Sequence, residues 1–160
     1  MASRPTGTRK AAEIRVSAVV PAPLRRPGIA RLAGAVLAAE RSRVAALSIT
    51  LVGPARIRSL NRAHLGHDHA TDVIAFAYRG TGAPAHRAVP IVGDVYICPA
   101  VARRHAAEYG TTVKDELRRL VVHGVLHVVG YDHPAADSRT ASPMWRRQER
   151  YLRRFGALAR

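Results

Sequence analysis

The sequence predicts a single compact domain of the α/β (α+β) class, in which helices pack on one mostly four-stranded mixed sheet. The chain has 160 residues, enough for one domain with a proper hydrophobic core. Short β-branched runs alternate along it with longer segments of helical periodicity, which is typical of mixed folds. No run of 18 or more apolar residues interrupts the pattern, so no membrane span is expected.

The first half of the chain predicts two strands and two helices. Residues 14–20 form a β-branched run that ends at Pro21, as a strand would. Residues 27 to about 41 carry apolar side chains at helical spacing, with Pro27 in the first turn. Residues 44–52 alternate like a strand, and Pro54 then opens a helix that runs to about residue 63.

The second half predicts two more strands and three more helices. Strands are expected at 71–78 and at 91–97, the latter broken near Gly93, with an exposed loop at 79–90 between them. The helices are expected at about 100–109, 113–129 and 143–155. Thr112 resembles the first residue of a capping box for the second of these helices. We expect residues 1–12 to be a disordered basic arm and residues 13–157 to be the single domain.

The helix at 113–129 carries the most informative pattern of the chain. His123 and His127 are four residues apart, so they share one helix face. Gly130 can end the helix in the left-handed conformation and return His133 to the same point. Three imidazoles around an open fourth position make the usual catalytic zinc site. The spacing therefore predicts a metal held by His123, His127 and His133, and the alternative is that these are hydrogen-bonded core histidines.

The residue after the first histidine argues against one class of metal enzyme. In the zinc-protease pattern HExxH this residue is the glutamate that acts as general base, whereas here it is Gly124. The spacing of the histidines and Gly130 still matches the longer metzincin pattern. The sequence thus predicts metal-assisted hydrolysis without a protease base.

Charge and cysteine content bear on partner and compartment. The net charge of +15 comes from 26 basic and 11 acidic side chains, so we expect a polyanion partner such as nucleic acid. Codon bias would explain the preference for Arg over Lys, but not the excess over acidic residues. Aromatic residues make up only 5%, and no stacking platform for single strands is evident. A single cysteine, Cys98, fits a reducing cytoplasm and reads as a packing residue.

Other polar residues are candidates for the site. Asp132 follows Gly130 and could orient a ligand or shape the turn, and Asp94 is a candidate catalytic carboxylate or a strand bulge. His67 and His69 could lie on the same side of an extended loop, where a second metal is one reading. A loop that supports substrate or orders the next strand, through Thr71 and Asp72, is the preferred reading.

Several motifs, taken in order, resemble the YbeY family of bacterial endoribonucleases and rRNA maturation factors. The resemblance covers roughly residues 14 to 155, and its most specific part is the run from His123 to His133. The remaining matches are Asn61, Gly66, Asp68, Thr71 to Ile74 and Phe76, then Gly93 to Ile97, Glu116, Leu117 and Leu120, and finally Met144 and Gln148.

The resemblance implies a zinc-dependent, single-strand-preferring endoribonuclease that acts in 16S rRNA 3′-end maturation and ribosome quality control. It implies one zinc ion per chain, held by the three histidines. The implied partners are small-subunit rRNA, the small ribosomal subunit and its assembly factors, with no membrane and a cytoplasmic location. Arg62, His64, His67, Thr71 and Asp72 are then candidate substrate-binding residues, with Asp132 and Asp94 as candidate catalytic residues.

The sequence departs from the family pattern at one position. Many members carry an arginine five positions into the Asn-led segment, where this chain has Leu65. A leucine cannot replace the charge-assisted contact of arginine with phosphate. An alternative function therefore stays open, that of a non-catalytic ribosome-assembly factor with a structural metal.

Overall fold

A computed structural model of the chain describes residues 10–80, 90–132 and 141–160. Its elements follow one another as β1 (Glu13–Ala18), α1 (Arg26–Ala39), β2 (Val44–Leu51), α2 (Pro54–Leu65), β3 (Val73–Arg79), β4 (Ile91–Ile97), α3 (Pro99–Glu108), α4 (Val113–Val129) and α5 (Pro143–Phe155), with a 3₁₀ turn at Gly156–Leu158. The predicted arm at residues 1–12 and the predicted loop at 79–90 fall mostly outside the described residues. None of the helices in the described ranges is long and apolar enough to cross a membrane.

The four strands form one mixed sheet in the order β1-β2-β4-β3. β1, β2 and β4 run parallel, and β3 lies antiparallel to β4 at the edge. The amino end of β3 therefore lies at the same edge of the sheet as the carboxyl ends of the other three strands. This α/β sheet packed by helices confirms the predicted fold class.

The main hydrophobic core lies between one face of the sheet and helices α1, α4 and α5. Alternate residues of the central strands face it, and Leu47, Ile49, Val95 and Ile97 are almost completely buried. A second, smaller core lies on the opposite face, where α2 covers the end of the sheet with Ile57 and Leu60. Cys98 is buried in this second core, as expected of a packing residue.

Close contacts between glycine and valine seat α4 on the sheet. A Cβ atom on Gly93 would lie 2.4 Å from a methyl group of Val128, and a Cβ on Gly124 would lie 2.5 Å from a methyl group of Val95. Each glycine thus accepts a valine from the other element. The predicted break of the strand at Gly93 is wrong, because β4 runs through it without interruption. Gly93 leaves the space that Val128 of α4 occupies. The shift in strand register lies elsewhere, on β2 between Val44 and Ala46.

Helix ends follow the local signals closely. Thr112 accepts a hydrogen bond from the backbone N–H of Asp115, so α4 begins as the capping box predicts. Gly130 ends α4 in the left-handed region, with φ 118° and ψ 9°. Ser142 caps α5 in the same manner as Thr112 caps α4. Helix α2 runs to Leu65, about half a turn further than predicted, and ends at Gly66 in the left-handed region.

Candidate metal centre

His123 and His127 converge on one point, as their spacing predicts. Their Nε2 atoms lie 3.0 Å apart, and their ring centroids are separated by 4.6 Å. Both residues are half-buried on α4, whose neighbouring positions on the sheet side are fully buried. Two nitrogens bonded to one tetrahedral zinc ion lie about 3.3 Å apart. The observed separation therefore fits two ligands of one ion.

A buried glutamine on α5 fixes the orientation of the first ring. Gln148 is 1% exposed, and its Oε1 lies 2.9 Å from Nδ1 of His123. An amide oxygen can only accept, so His123 donates from Nδ1 and keeps the lone pair on Nε2, toward His127. The Gln148 amide nitrogen is directed at Glu149 Oε1, at 3.4 Å, which agrees with this orientation of the amide. Carbonyl groups hold metal-binding histidines in the same way.

In the sequence, Gln148 appears only as a position in the closing motif, and nothing there assigns it this role. The signal that could have found it is a polar residue among buried positions of an otherwise basic helix, since buried amides need partners. The third predicted ligand, His133, lies outside the described residues, so the three-histidine set stays a prediction.

The turn after α4 is anchored by a buried carboxylate of α1. The Glu40 side chain is 5% exposed and accepts hydrogen bonds from Tyr131, at 3.0 Å, from Arg147, at 2.8 Å, and from Tyr151. Burial acts to raise the pKa of Glu40, but these three donors outweigh it, so the pKa lies below its ordinary value. Tyr131 therefore has a packing role, and it fixes the chain next to Asp132, which is exposed.

Helix packing explains why position 124 is a glycine and not the glutamate of the protease pattern. Its position faces β4, where Val95 leaves no room even for a methyl group. A glutamate at this position could not be accommodated without moving α4 off the sheet. The absence of a base next to His123 is thus a consequence of helix packing.

The loop before β3 is held by short-range polar contacts. Asp72 Oδ1 accepts from the Thr71 hydroxyl at 3.2 Å and from the backbone N–H of Val73 at 2.8 Å. Buried Asn61 donates from its side-chain nitrogen to the His69 carbonyl at 2.9 Å. Thr71 and Asp72 thus order the start of β3. Their role in substrate binding stays a prediction.

The remaining substrate-binding candidates lie on an exposed surface at the end of α2. Arg62, His64 and His67 are exposed, and Leu65 is 53% exposed. Asp68 accepts two hydrogen bonds of 2.9 Å from Arg58, which hold the pKa of Asp68 below its ordinary value. Arg62 stands further from that carboxylate, at 3.9 Å. Arg62 therefore interacts with Asp68 more weakly than Arg58 does.

Asp94 does not join the histidine pair. Its neighbours in β4, Gly93 and Val95, face α4, so the Asp94 side chain lies on the opposite face of the sheet. There it accepts a hydrogen bond of 2.8 Å from the Ser48 hydroxyl. The structure gives Asp94 a contact across the strands, and it shows no strand bulge at this position.

The same face of the sheet carries a row of aromatic rings beside the second core. Phe76 lies at its centre, with ring centroids 5.0 Å from His64, 6.3 Å from Tyr78 and 6.3 Å from Tyr96. Tyr78 is 53% exposed. The low aromatic content makes no stacking platform evident from the sequence, whereas the fold gathers three of the seven Phe and Tyr residues on one patch, with Phe76 and Tyr96 half-buried.

A second group of potential metal ligands involves residues that were not singled out together. Asp72, His105 and Glu116 each offer one ligand atom, and these atoms lie within 4.8 Å of one another. It is the one such group within residues 10–80, 90–132 and 141–160. Local spacing does not connect its members, because Asp72 lies just before β3, His105 lies on α3 and Glu116 lies on α4.

Two histidines on one helix face meet with their ring nitrogens and a buried amide orients one of them, an arrangement that can hold a metal ion. Comparison with known proteins identifies the family. The family model described as endoribonuclease YbeY matches residues 27–156. The chain belongs to the endoribonuclease YbeY family.

Individual relatives agree with this assignment. The endoribonuclease YbeY of Geobacillus kaustophilus is 39% identical over 117 residues, which cover 70% of this chain and 74% of the relative. The corresponding protein of Moorella thermoacetica is 43% identical over 118 residues, again 70% of this chain and 74% of the relative. A solution structure of a Thermotoga maritima protein has the same fold, with a TM-score of 0.57, 24% identity, and coverage of 90% of this chain and 89% of that one.

Proposed function

We propose that this chain is a zinc-dependent, single-strand-preferring endoribonuclease that acts in the cytoplasm, in 16S rRNA 3′-end maturation and ribosome quality control. The observation that carries the proposal is the convergence of the His123 and His127 Nε2 atoms at 3.0 Å in a chain of the endoribonuclease YbeY family. Small-subunit rRNA, the small ribosomal subunit and its assembly factors would be its partners.

The residues of the site divide into ligands and groups that position them. His123, His127 and His133 would hold one zinc ion per chain. When bound, zinc supplies Lewis-acid activation of the phosphodiester. Gln148 keeps His123 in the tautomer that presents Nε2, and the Glu40–Tyr131 hydrogen bond holds the chain where it leaves α4. Asp132 is exposed and lies next to His133 in the sequence. It is the candidate general acid or base of the site.

Two features support RNA as the substrate. The net charge of +15 attracts a polyanion and favours binding through counterion release. The aromatic patch of Phe76, Tyr78 and Tyr96 offers ring faces on which unpaired bases can stack, which would favour single strands over duplexes. The exposed His64 borders this patch at the end of α2.

The first experiment compares RNA cleavage by zinc-loaded wild type with that by H123A and H127A. We expect each variant to lose bound zinc and at least about a hundredfold of the cleavage rate, because an open zinc site needs three protein ligands. E108Q, which changes an exposed side chain on α3, serves as the matched control and should cleave like wild type. Equal cleavage by all four proteins would reveal a contaminating nuclease and contradict the proposal.

The preference for single strands is tested separately. Replacing Tyr78 by Ala should weaken binding of an unpaired oligonucleotide about tenfold, since stacking of one base contributes about 1–3 kcal/mol. Binding of a blunt duplex of the same length should change much less. An equal loss for both RNAs would remove the stacking role from the aromatic patch while leaving the cleavage assay unaffected.

The second candidate function is a non-catalytic ribosome-assembly factor with a structural metal. Two placements favour it, namely the exposed Leu65 where many family members carry arginine, and Asp94 on the sheet face away from the histidines. If H127A folds as stably as wild type and restores rRNA processing in cells that lack the protein, cleavage is not its essential role. If wild type restores processing and H127A does not, the enzyme proposal stands.

A further inference from the structure

We infer that Asp72, His105 and Glu116 form a second metal site, which binds a divalent transition metal ion and ties the start of β3 to α3 and α4. Asp72 lies just before β3, beside the end of β4, and His105 and Glu116 reach it from α3 and α4. Asp72 and Glu116 lie in motifs shared with the family, but the histidine pair makes no use of the three residues. The site is distinct from the predicted three-histidine centre, with no ligand in common.

The ligand atoms are close to the separations that one ion requires. His105 Nδ1 lies 3.3 Å from Asp72 Oδ2, and all three ligand atoms lie within 4.8 Å of one another. Two ligands of one tetrahedral ion at ordinary bond lengths lie about 3.4 Å apart. The His105–Asp72 pair already has this separation, and the Glu116 carboxylate, within 4.8 Å of both, would have to approach them more closely to complete the site.

Glu116 is the observation that points to a missing cation. Its side chain is 8% exposed, yet its carboxylate accepts no hydrogen bond from any residue in the described part of the chain. A buried carboxylate without donors is costly. Burial, together with the nearby charge of Asp72, raises the pKa of Glu116. A divalent ion would remove both penalties at once.

The neighbouring Arg119 forms an ion pair with Glu116 and acts to lower its pKa, but this does not offset the effect of burial. Arg119 Nε lies 3.6 Å from Glu116 Oε2, outside hydrogen-bond distance. The Arg119 guanidinium hydrogen-bonds to Glu149 and stacks over the Trp145 ring, 5.5 Å from its centroid. Arg119 is therefore held mainly by α5, and Glu116 is left with two groups that can share a metal.

The position on α4 separates the two sites. Glu116 and His123 are seven residues apart on the same helix face, which corresponds to a rise of about 10 Å. Two ions that act on one phosphate lie about 4 Å apart, so this is not a two-metal catalytic centre. A metal at Asp72 would instead fix the end of the 66–72 loop, which carries His67, Thr71 and Asp72 of the substrate-binding candidates.

The donor set defines the class of ion. Two carboxylates and one imidazole suit Zn²⁺, Mn²⁺ or Co²⁺ better than soft ions, which prefer thiolates. Mg²⁺ prefers oxygen ligands and retains its waters, so the histidine disfavours it. Co²⁺ is a useful probe because its absorption spectrum changes with coordination number.

The experiment counts metal equivalents with the two sites separated. Metal-stripped full-length wild type, H127A, E116Q, H105A and the double variant H127A/E116Q are titrated with Zn²⁺ and with Co²⁺ and followed by calorimetry and absorption. We expect E116Q and H105A each to bind one equivalent fewer than wild type, and H127A/E116Q one fewer than H127A. Zn²⁺ should raise the melting temperature of H127A, and this shift should be lost in H127A/E116Q.

The matched control is E108Q, which removes an exposed carboxylate from α3 and should bind as wild type does. Circular dichroism establishes that each variant is folded, and E116Q decides the matter if H105A unfolds. The same number of equivalents in H127A and H127A/E116Q would overturn the inference. Because this readout counts ions and not cleavage, it stands or falls independently of the proposed nuclease activity.

Discussion

At the scale of single residues, the site depends on groups that orient others. Gln148 illustrates this, since it does not approach a substrate yet determines which nitrogen of His123 carries the lone pair. Leu65 is the opposite case, because it is exposed where many family members carry an arginine and cannot make that residue's contact with phosphate. Substitutions at Gln148 test the orientation of the His123 ring, and substitutions at Leu65 test the effect of a positive charge.

Replacing Gln148 by Met should weaken zinc binding by about 10- to 100-fold, because the residue that fixes the His123 tautomer loses its acceptor. Methionine has similar volume and suits a buried site, so the fold should survive. Competition with a chromogenic zinc chelator measures the affinity.

The matched control at this position is Q148E, which keeps an acceptor oxygen within reach of His123 Nδ1. It should bind zinc more tightly than Q148M does. Equal affinity for wild type and Q148M would contradict the positioning role of Gln148.

Replacing Leu65 by Arg should increase RNA binding and cleavage about three- to tenfold, since one charge-assisted phosphate contact is gained at an exposed site next to Arg62. Initial rates on a single-stranded substrate at low salt measure the effect. L65Q adds polarity without charge and should stay close to wild type. If L65R does not exceed L65Q, arginine at this position has no role in this chain.

At the scale of elements, local signals predicted most of the helices. The bounds of α4 and α5 agree with the sequence because Thr112, Gly130, Ser142 and Pro143 provide chemical start and stop signals that act within one turn. The break predicted at Gly93 failed for the opposite reason. A glycine in a strand signals close approach as well as a break, and only the docked helix shows which applies.

The seating of α4 on β4 predicts a compensating pair of substitutions. Replacing Gly124 by Ala should destabilise the protein by about 1–3 kcal/mol, because the new methyl group meets Val95. The double variant G124A/V95A should be less destabilised than the sum of the two single variants, since removal of the valine methyl groups makes room for the new methyl group. Urea unfolding of the wild type, both single variants and the double variant measures the coupling. Strict additivity of the two single changes would show that the contact is not the cause.

At the scale of the whole molecule, the parts of the site that the sequence could predict are those carried by one element. The pair of His123 and His127 follows from helix geometry alone. The Glu40 network, the Gln148 contact and the Asp72–His105 pair each join residues at least 25 positions apart, and no period or motif encodes such distances. The aromatic patch was missed for the same reason, because composition cannot say which rings share a face.

The Glu40 network predicts how stability depends on pH. The pKa of Glu40 is lowered in the folded protein, so its contribution is fully present above its ordinary value of about 4.5 and is lost as the pH falls through the lowered value. E40Q should cost about 1–3 kcal/mol at neutral pH. The difference between the melting temperatures of wild type and E40Q should shrink as the pH is lowered below 4.5. A difference that stays constant from neutral to acid pH would contradict this role.

The strand order also bears on the order in which the parts of the chain fold. β3 cannot pair with β2, its neighbour along the chain, because β4 lies between them. The β3–β4 hairpin is the most local pairing of the sheet, and we expect it to form early and then dock as a unit beside β2. Asp72 meets His105 and Glu116 only after α3 and α4 have packed on that hairpin. The metal-binding corner is therefore a late product of folding, and a chain that has acquired its helices and its hairpin can still lack it.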